Sequence, residues 1–331
     1  MTPTVSVFLP TYQHRAFIAD ALDSVLAQDG CDFEIVVGDD GSTDGTREIV
    51  ADYAARHPGV VVPLLSPVNT GITANQNRVL AACRGEFIAF FAGDDLWLPG
   101  KLRKQLAWFA ENPDAVICYT NVEEFDSDSG RRLRLQHMPG SNPFREGSVE
   151  QLFLSPAFFN GTSAMARRSA CPPHGYEPSL SIVSDWLFWV ETAINGRVGY
   201  VPEVLARYRR HAHNITNGVE RIVREQLLAL DLVETRHPEL AELAAGLRPR
   251  LLWGGALGAT KRGDYALARA LLASLADWRR ARGAATPWRE RVLPTVLRLD
   301  RAHLLGRLAS STSGPLRALR GREAGGASGG A

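Results

Sequence analysis

Residues 34–46 read Glu34-Ile-Val-Val-Gly-Asp-Asp-Gly-Ser-Thr-Asp-Gly-Thr46, an apolar run followed directly by an acidic, glycine-rich turn. The run Phe33–Val37 predicts a buried strand that ends at this turn. Three other short apolar runs, Val5–Leu9, Val60–Leu65 and Glu86–Phe91, alternate with segments of helical spacing. Strands that alternate with helices in this way predict an α/β fold with a parallel sheet and helices on both faces.

Hydrophobic spacing also predicts the remaining elements up to about residue 211. A long polar segment among them is of a length usually kept for function. The predicted helices are Ala16–Leu26, Thr43–Ala55, Thr73–Cys83, Lys101–Asn112 and Asp185–Asn195; the later strands are Val116–Phe125, Ser163–Arg167 and Val198–His211; the polar loop is Asp126–Gly147.

Length and composition limit the classes of protein to which the chain can belong. Its 331 residues suit one large domain or two smaller ones. The 37 basic and 36 acidic residues leave a net charge of +1, so no nucleic-acid partner is expected. The four cysteines show no metal-ligand spacing and indicate reduced thiols. Because neither a signal peptide nor an apolar run of about 20 residues is present, we expect a cytoplasmic protein.

Changes in composition along the chain suggest three regions. Strand signals stop near residue 218, where the sequence becomes rich in Ala, Leu and Arg with helical spacing. The last residues contain mainly Gly, Ala and Ser. We therefore predict an α/β domain over residues 1–217, an α-helical region over 218–320 and a disordered tail over 321–331.

Pairs of carboxylates follow two of the predicted strands. Asp39 and Asp40 follow the second strand, and Asp94 and Asp95 follow the fourth. Ligands of such sheets bind beyond the carboxyl ends of the strands, so these pairs belong to the functional edge. Asp39 and Asp40 could accept hydrogen bonds from a base N–H or from ribose hydroxyls, whereas Asp94 and Asp95 suit a hard divalent cation that bridges phosphate oxygens. The alternative for the first pair is a turn that caps the next helix, and the alternative for the second is a solvated acidic turn.

Two later segments add groups that could take part in chemistry. Asp185 opens a predicted helix, where it is either a helix cap or a general base for an acceptor hydroxyl. The segment Tyr208-Arg-Arg-His-Ala-His213 could hold diphosphate charge or complete a metal site, or could face solvent. The glycine-rich signatures of dinucleotide-binding and P-loop proteins are absent, as is the nucleophile elbow of hydrolases.

These motifs, taken in order, resemble glycosyltransferase family 2. The resemblance rests on Val5-Ser-Val-Phe-Leu-Pro-Thr-Tyr-Gln13, the acidic stretch of residues 34–46, Asn69-Thr-Gly-Ile72 and Gly85-Glu-Phe-Ile-Ala-Phe-Phe-Ala-Gly-Asp-Asp-Leu-Trp97. The later Ser184-Asp-Trp186 and Tyr208-Arg-Arg-His211 are also similar, so the resemblance covers about residues 1–215. It implies the GT-A fold, a Rossmann-like, mainly parallel sheet flanked by helices, to which this chain adds an α-helical C-terminal extension.

The family resemblance also implies a donor, a cofactor and a stereochemical course. The donor would be a nucleotide sugar, with a UDP-sugar favoured, and transfer would invert the anomeric carbon. Asp39 and Asp40 would hold the base and ribose. The other residues implied to contact the donor are Pro10, Thr11, Tyr12, Gln76 and Asp94.

A divalent cation, Mn²⁺ or Mg²⁺, is implied by the same resemblance. Asp94 and Asp95 would fill the Asp-x-Asp role, contacting the ribose and the metal-bound diphosphate. Asp95 and His211 are the implied metal ligands, and Asp185 is the implied base that activates the acceptor hydroxyl. The acceptor would be a glycan, a lipid-linked molecule or a small molecule, in the synthesis of a surface polysaccharide or glycoconjugate.

Two positions depart from the family pattern. Ala92 stands where many members have an aspartate two places before Asp94, which bears on metal affinity. Gln76 stands where many members have an arginine, so a cationic contact to the nucleotide is replaced by neutral hydrogen bonds. A degenerate, non-catalytic binding subunit therefore remains one alternative. A nucleotidyltransferase is the other, although the glycine-rich phosphate loop of that class is missing after the first strand.

The C-terminal segment of residues 279–322 is strongly basic. It contains eleven arginines against Glu290 and Asp300, interleaved with apolar residues, and Pro294 would kink it. A basic amphipathic helix of this kind can lie on an anionic membrane surface, which would suit a lipid-linked acceptor. Peripheral contact with the inner face of the cell membrane is thus one hypothesis, and an ordinary solvated or partner-facing helix is the other.

Overall fold

Strands and helices alternate through the first third of the chain. The structure, a computed structural model, describes residues 2–137, 146–154, 159–211 and 219–285. Its first elements are β1 (Val5–Thr11), α1 (Ile18–Leu26), β2 (Phe33–Asp39), α2 (Thr46–Arg56), β3 (Val61–Leu65), α3 (Ile72–Ala82), β4 (Phe87–Phe90), β5 (Leu96–Trp97) and α4 (Lys101–Glu111).

The second third adds strands to the same sheet, and the described part of the chain then ends in long helices. These elements are β6 (Ala115–Asp126), β7 (Arg132–Leu135), α5 (Glu150–Leu154), β8 (Met165–Arg167), α6 (Ser184–Ala193), β9 (Arg197–Arg210), α7 (Val219–Arg236), α8 (Ala241–Lys261) and α9 (Tyr265–Ala281).

The described strands form one mixed sheet in the order β3-β2-β1-β4-β8-β6-β9-β5, with β7 paired to β6. The neighbours β3, β2, β1 and β4 are parallel, so their carboxyl ends share one edge. Strand β8 is antiparallel to both of its neighbours, whereas β6 and β9 run parallel. This is the mainly parallel α/β sheet predicted from the sequence.

The core lies between the sheet and the helices that cover it. Strand β1 is buried from Val5 to Leu9 because helices flank both faces, as expected for a parallel sheet. Helix α3 approaches β2 so closely that a Cβ at Gly38 would lie 2.2 Å from Val79 Cγ2 and 2.8 Å from Asn75 Oδ1. Glycine at position 38 therefore brings α3 down onto the end of β2, where the acidic pair begins.

Most predicted elements are confirmed, with ends that move by a few residues. Two predictions need correction, and one strand was not predicted. The predicted loop Asp126–Gly147 contains a strand, β7, because the chain turns back at residues 127–130 and pairs with β6. The predicted strand Ser163–Arg167 starts only at Met165, because Gly161–Ser163 forms a 3₁₀ turn. The two-residue strand β5 was not predicted, since so short an element has no periodicity.

Contacts between Cα atoms divide the chain into two compact units, residues 1–247 and residues 248–331. The first unit holds the sheet and helices α1–α7. In the second, the described residues form the rest of α8 and α9, which bury apolar side chains such as Leu252 and Leu275. The domain boundary at 217/218 stays a prediction, and the tail 321–331 and most of the basic segment 279–322 lie outside the described residues.

The described helices were also compared with the requirements of a membrane span. None of them combines the length and the apolar character that crossing a bilayer requires.

Candidate active site

The predicted site residues follow the carboxyl ends of β1, β2 and β4. Thr11 and Asp39 end β1 and β2 and are register partners across the two strands. Asp94 and Asp95 lie in the turn that follows β4. Because these parallel strands end at the same edge, the structure brings the first and second acidic pairs to one side of the sheet.

The loop after β1 is tied to the loop after β2. Gln13 has a φ of +55°, a left-handed conformation uncommon for a residue with a side chain. Its backbone N–H donates to Ser42 Oγ at 2.9 Å, and its side chain exchanges hydrogen bonds with Thr43. These contacts hold the loop open and leave Tyr12 44% exposed, whereas Thr11 is buried and Pro10 is half-buried.

Asp39 is fully buried and keeps one carboxylate oxygen without a protein partner. Its Oδ2 accepts the backbone N–H of Ser42 at 3.1 Å. Its Oδ1 is buried and unpaired. An unpaired buried carboxylate oxygen costs free energy unless a ligand donates to it, so this atom is a candidate ligand contact.

Asp40 is buried as well, but its oxygens are occupied by the protein. Its Oδ1 accepts from the backbone N–H and the hydroxyl of Thr70, at 2.9 and 2.7 Å. Its Oδ2 accepts the backbone N–H of Gly71 at 2.9 Å. The carboxylate that was predicted to contact the ribose therefore anchors the start of α3 in this structure.

Arg78 brings a cation beside Asp39 and was not singled out from the sequence. Its Nη2 donates to the backbone oxygen of Asp39 at 2.8 Å and to Asn75 Oδ1 at 2.6 Å. Arg78 Nε is buried without a partner, and so is Oε1 of the predicted contact Gln76. The i, i+3 spacing of Asn75 and Arg78 on α3 is the sequence feature that could have indicated their contact.

An imidazole–carboxylate cluster lies at the end of the second acidic turn. His211 Nε2 lies 2.9 Å from Asp94 Oδ2, and His14 Nε2 lies 4.0 Å from the same oxygen. His14 Nδ1 lies 3.1 Å from Thr11 Oγ1. Burial lowers the pKa of His14, and His211 adds to this effect while Asp94 opposes it. His14 belongs to this cluster although the sequence analysis gave it no role.

Asp95 lies in a different environment from its neighbour. Its side chain is buried, and its Oδ1 accepts the backbone N–H of Arg209 at 3.0 Å. Burial, together with the charge of Asp94, raises the pKa of the Asp95 carboxyl well above its usual range. The structure thus brings the predicted ligand His211 to Asp94 rather than to Asp95, which joins the turn to β9.

The close packing of this turn depends on the residue between Ala92 and Asp94. A Cβ at Gly93 would lie 2.6 Å from Thr11 Oγ1 and 2.9 Å from His14 Nδ1. Only glycine therefore lets the turn after β4 approach the loop after β1 so closely. Within the described residues, no group of three or more His, Cys, Asp and Glu side chains is arranged to hold a metal by itself.

Asp185 is the one residue of α6 that is not buried. The others, from Ser184 to Ala193, pack into the fold, partly through Trp189 against Phe90 with ring centroids 4.6 Å apart. The Asp185 carboxylate is exposed to solvent, but protein surrounds it closely enough that desolvation raises its pKa. An accessible carboxylate with a raised pKa has the properties of a general base in a cleft.

A cavity of about 420 Å³ lies near the opposite end of α6. Glu191 in its wall pairs with His174 at 3.0 Å and with Arg236 at 3.3 Å, and Arg236 also pairs with Glu177. These charged groups pair with one another, and the residues that line the cavity are not those of the acidic edge.

Residues 6–173 match the family described as Glycosyl transferase family 2. The protein Rv1520 of Mycobacterium tuberculosis is 35% identical over 214 residues, which are 64% of this chain and 60% of that protein. The chain therefore spans well under the full length of this mycobacterial relative.

A second relative is TuaG of Bacillus subtilis, whose name describes a glycosyltransferase of teichuronic acid biosynthesis. It is 27% identical over 236 residues, which are 71% of this chain and 90% of that protein.

Solved structures of similar fold share less sequence. TarS 1–349 of S. aureus, in complex with UDP-GlcNAc, matches with a TM-score of 0.59 and 17% identity over 86% of this chain and 93% of that chain. The mannosyltransferase PcManGT of Pyrobaculum calidifontis, in complex with GDP-Man and Mn²⁺, matches with a TM-score of 0.58 and 20% identity over 89% and 79%. At these identities the two likenesses bear on the fold alone, and that fold is GT-A.

Proposed function

This chain belongs to glycosyltransferase family 2, and from that premise we propose that it transfers a sugar from a UDP-sugar to a hydroxyl acceptor with inversion. The observation that carries the donor proposal is the buried, unpaired Oδ1 of Asp39. Uracil offers one ring N–H, at N3, and a single carboxylate oxygen matches a single donor. Guanine offers an N–H and an adjacent amino group, so it would need both carboxylate oxygens of Asp39. Oδ2 already accepts a hydrogen bond from Ser42.

Neighbouring groups suit the rest of the nucleotide. The exposed ring of Tyr12 offers a stacking face at the end of β1. The buried, unpaired Nε of Arg78 adds a donor near Asp39, and Gln76 on the same helix has a buried, unpaired acceptor in Oε1. Arg78 would then supply a cation in place of the arginine that Gln76 replaces. The structures of similar fold hold UDP-GlcNAc and GDP-Man, so the choice of UDP rests on the Asp39 carboxylate and not on them.

We propose that a divalent cation, Mn²⁺ or Mg²⁺, joins the donor diphosphate to Asp94 and His211. The Asp94 oxygen and the His211 nitrogen already lie 2.9 Å apart. A carboxylate suits Mn²⁺ or Mg²⁺, and a neutral imidazole is a common metal ligand. Two protein ligands fit this cation only if diphosphate oxygens and water complete its coordination. The cation would supply Lewis-acid stabilisation of the negative charge that develops on the leaving diphosphate. Asp95 holds the turn to β9, so we assign it support of the site instead of direct ligation.

The reaction itself needs a base on the acceptor side. In the proposed step, an Asp185 carboxylate oxygen takes the proton of the acceptor hydroxyl while the acceptor oxygen attacks the anomeric carbon. The bond from that carbon to the diphosphate oxygen breaks, and its electron pair leaves with UDP. Because an alcohol is a weak nucleophile, a positioned carboxylate contributes about 10²- to 10⁴-fold to such a step.

The acceptor proposal concerns the class of molecule that receives the sugar. We infer a hydroxyl of a glycan or lipid-linked molecule in surface polysaccharide synthesis, and the name of TuaG supports this. The basic segment of residues 279–322 would suit an anionic membrane surface that carries such an acceptor. Binding of the full chain and of a chain lacking this segment to anionic vesicles would test that contact, and equal binding would contradict it.

Thermal melting with a panel of nucleotides tests the donor proposal. A ligand that binds the folded state alone raises the melting temperature by mass action. We expect UDP and UDP-sugars with Mn²⁺ to raise it more than GDP, GDP-mannose or either component by itself. A larger shift with GDP would contradict the assignment of uracil. The absence of any nucleotide shift would favour the non-catalytic alternative, in which Ala92 and Gln76 have removed donor binding.

A further inference from the structure

A carboxylate from a distant helix holds the segment that leads into α6. Oε2 of Glu225, on α7, accepts the backbone N–H groups of Ser181, Ile182 and Val183 at 2.8, 2.6 and 3.3 Å. Oε1 of the same side chain accepts the hydroxyl of Ser181 at 2.7 Å. One carboxylate therefore binds every N–H of the three residues that precede the helix.

Helix α6 receives this acceptor from outside its own segment. Its N-cap residue Val183 makes no side-chain cap, and within the first turn Asp185 Oδ1 accepts the N–H of Trp186 at 2.7 Å. N–H groups at a helix N-terminus need acceptors, and an anion there also interacts favourably with the helix dipole. From more than forty residues away, Glu225 binds the N–H of Val183 and places a negative charge at this helix end.

The charge of Glu225 is maintained in its buried position. Burial alone would raise the pKa of this carboxyl, but the hydrogen bonds from Ser181, Ile182 and Val183 outweigh it and lower the pKa. Arg221, one turn earlier on α7, donates to Oε1 at 3.2 Å and also contacts Ser181 Oγ. Glu225 is thus ionised at neutral pH and fixed on both of its oxygens.

The same segment is held from its other side by α3. Thr73 Oγ1 donates to the backbone oxygen of Leu180 at 2.6 Å. Asn77, one turn later, exchanges hydrogen bonds with the backbone of Tyr176 at 2.7 and 2.8 Å. Residues 176–183 are therefore clamped between α3, whose start is anchored by Asp40, and Glu225 on α7.

We propose that Glu225 is a positioning residue for the general base Asp185. Asp185 lies in the first turn of α6, two residues after the last N–H that Glu225 binds, so the position of the helix start sets the position of its carboxylate. This inference rests on the proposed function of Asp185. It also makes α7, which lies beyond the segment that matches the family, part of the transfer machinery.

The experiment compares Glu225→Gln with Glu220→Gln, each alone and combined with Asp185→Asn. Glu220 is an exposed residue of α7 that pairs only with Arg224 among its contacts in the structure, which makes it a matched control. The substrate panel is UDP-glucose, UDP-galactose, UDP-GlcNAc and GDP-mannose with Mn²⁺, with water as the acceptor. The measurements are kcat and KM for the donor and the melting temperature.

A small displacement of a catalytic group costs up to about a hundredfold in rate, so Glu225→Gln should lower kcat by about tenfold to a hundredfold with an unchanged donor KM. In the Asp185→Asn background it should cause no further loss, since it acts through Asp185. Glu225→Asp, which keeps the charge, should recover part of the rate. Equal kcat in Glu225→Gln and Glu220→Gln, or equal losses in both backgrounds, would overturn the proposal.

Hydrogen exchange of the amides in residues 181–187 provides a readout that does not depend on turnover. Glu225→Gln should accelerate exchange there, while Glu220→Gln should leave it unchanged. If the wild-type chain hydrolyses none of these donors and no nucleotide with Mn²⁺ raises its melting temperature, the proposed function fails on that result alone. Unchanged exchange in Glu225→Gln would overturn the positioning role whether or not the chain is active.

Discussion

His211 presents Nε2 to Oδ2 of Asp94 at 2.9 Å, so the residue that follows β9 meets the turn that follows β4. His14, from the loop after β1, lies 4.0 Å from the same oxygen. Three segments far apart in the sequence thus converge on one carboxylate. If a cation joins the donor diphosphate to the protein, Asp94 is the residue on which that link depends.

Asp94→Asn should remove the dependence of nucleotide binding on metal. An amide is uncharged and offers one ligating oxygen instead of two, so it is a poorer ligand than a carboxylate, and the apparent Mn²⁺ affinity should fall by at least about 10- to 100-fold. The measurement is the melting-temperature shift with UDP across a Mn²⁺ titration. Asp52→Asn, which changes an exposed carboxylate paired with Arg56, is the control. An unchanged Mn²⁺ dependence in Asp94→Asn would rule out this residue as a ligand.

Substitution of Asp39 should lower UDP affinity, whereas substitution of the adjacent Asp40 should lower the free energy of unfolding. Asp39→Asn alters an oxygen with no protein partner, so UDP affinity should fall while the free energy of unfolding changes little. Asp40→Asn breaks hydrogen bonds to Thr70 and Gly71 and should lower that free energy by about 1–3 kcal/mol. Urea unfolding and UDP titration of both variants measure the two effects. Similar losses of stability in both would contradict the distinction.

The sequence was sufficient to predict the edge of the sheet where the site lies. Parallel strands end on one side, so acidic residues directly after β2 and β4 had to share that side, whatever the details of packing. The turn residues and the apolar runs before them also placed both strands within a few residues. These are local properties, and local spacing is what a single sequence records.

The different roles of adjacent, chemically identical residues could not be predicted. Asp40 bonds to Thr70, thirty residues later, and Asp95 bonds to the backbone of Arg209, more than a hundred residues later. The partner of each carboxylate depends on the direction in which its turn points the side chain and on which distant backbone N–H lies in that direction. The contact of Glu225 with Val183 could not be predicted either, because only the packing of α7 against α6 brings the two residues together.

Asp185→Asn should abolish most turnover without destabilising the fold. Loss of a general base costs about 10²- to 10⁴-fold in kcat. Desolvation raises the Asp185 pKa, so the folded state disfavours its charged form, and the asparagine variant should be at least as stable as the wild type at pH 7. Steady-state kinetics with the donor, which give kcat and KM, check the loss of turnover. Chemical unfolding checks the stability. A fall in stability equal to the fall in kcat would indicate a structural role.

The same raised pKa fixes the direction of the pH dependence. Transfer requires the carboxylate form, so wild-type kcat should fall as the pH drops through a value above the ordinary aspartate range. The rate of donor hydrolysis between about pH 4 and 8 measures this limb. A flat profile over that range would contradict the assignment of Asp185 as the base.

Lys101 is buried at the start of α4, and among the described residues it pairs with no carboxylate. Its Nζ donates to Gln105 Oε1 at 2.7 Å and lies 4.2 Å from the centroid of the Trp97 ring. Burial lowers the pKa of this amine from 10.5 to about 7. The folded state therefore releases a proton in a range of pH in which the unfolded chain retains it.

This difference predicts a pH-dependent stability that Lys101→Met should remove. Between about pH 7 and 10.5 the unfolded state binds more protons, so the free energy of unfolding should rise with pH, by up to about 1.4 kcal/mol per unit from this group. Lys101→Met should remove that slope, whatever it costs to leave Gln105 Oε1 without its donor. Lys104→Met, at a more exposed position that pairs with Glu203, should retain it. Urea unfolding of the three proteins from pH 6.5 to 9.5 tests this prediction. If the free energy of unfolding changes with pH equally in the wild type and in Lys101→Met, Lys101 stays charged in the fold.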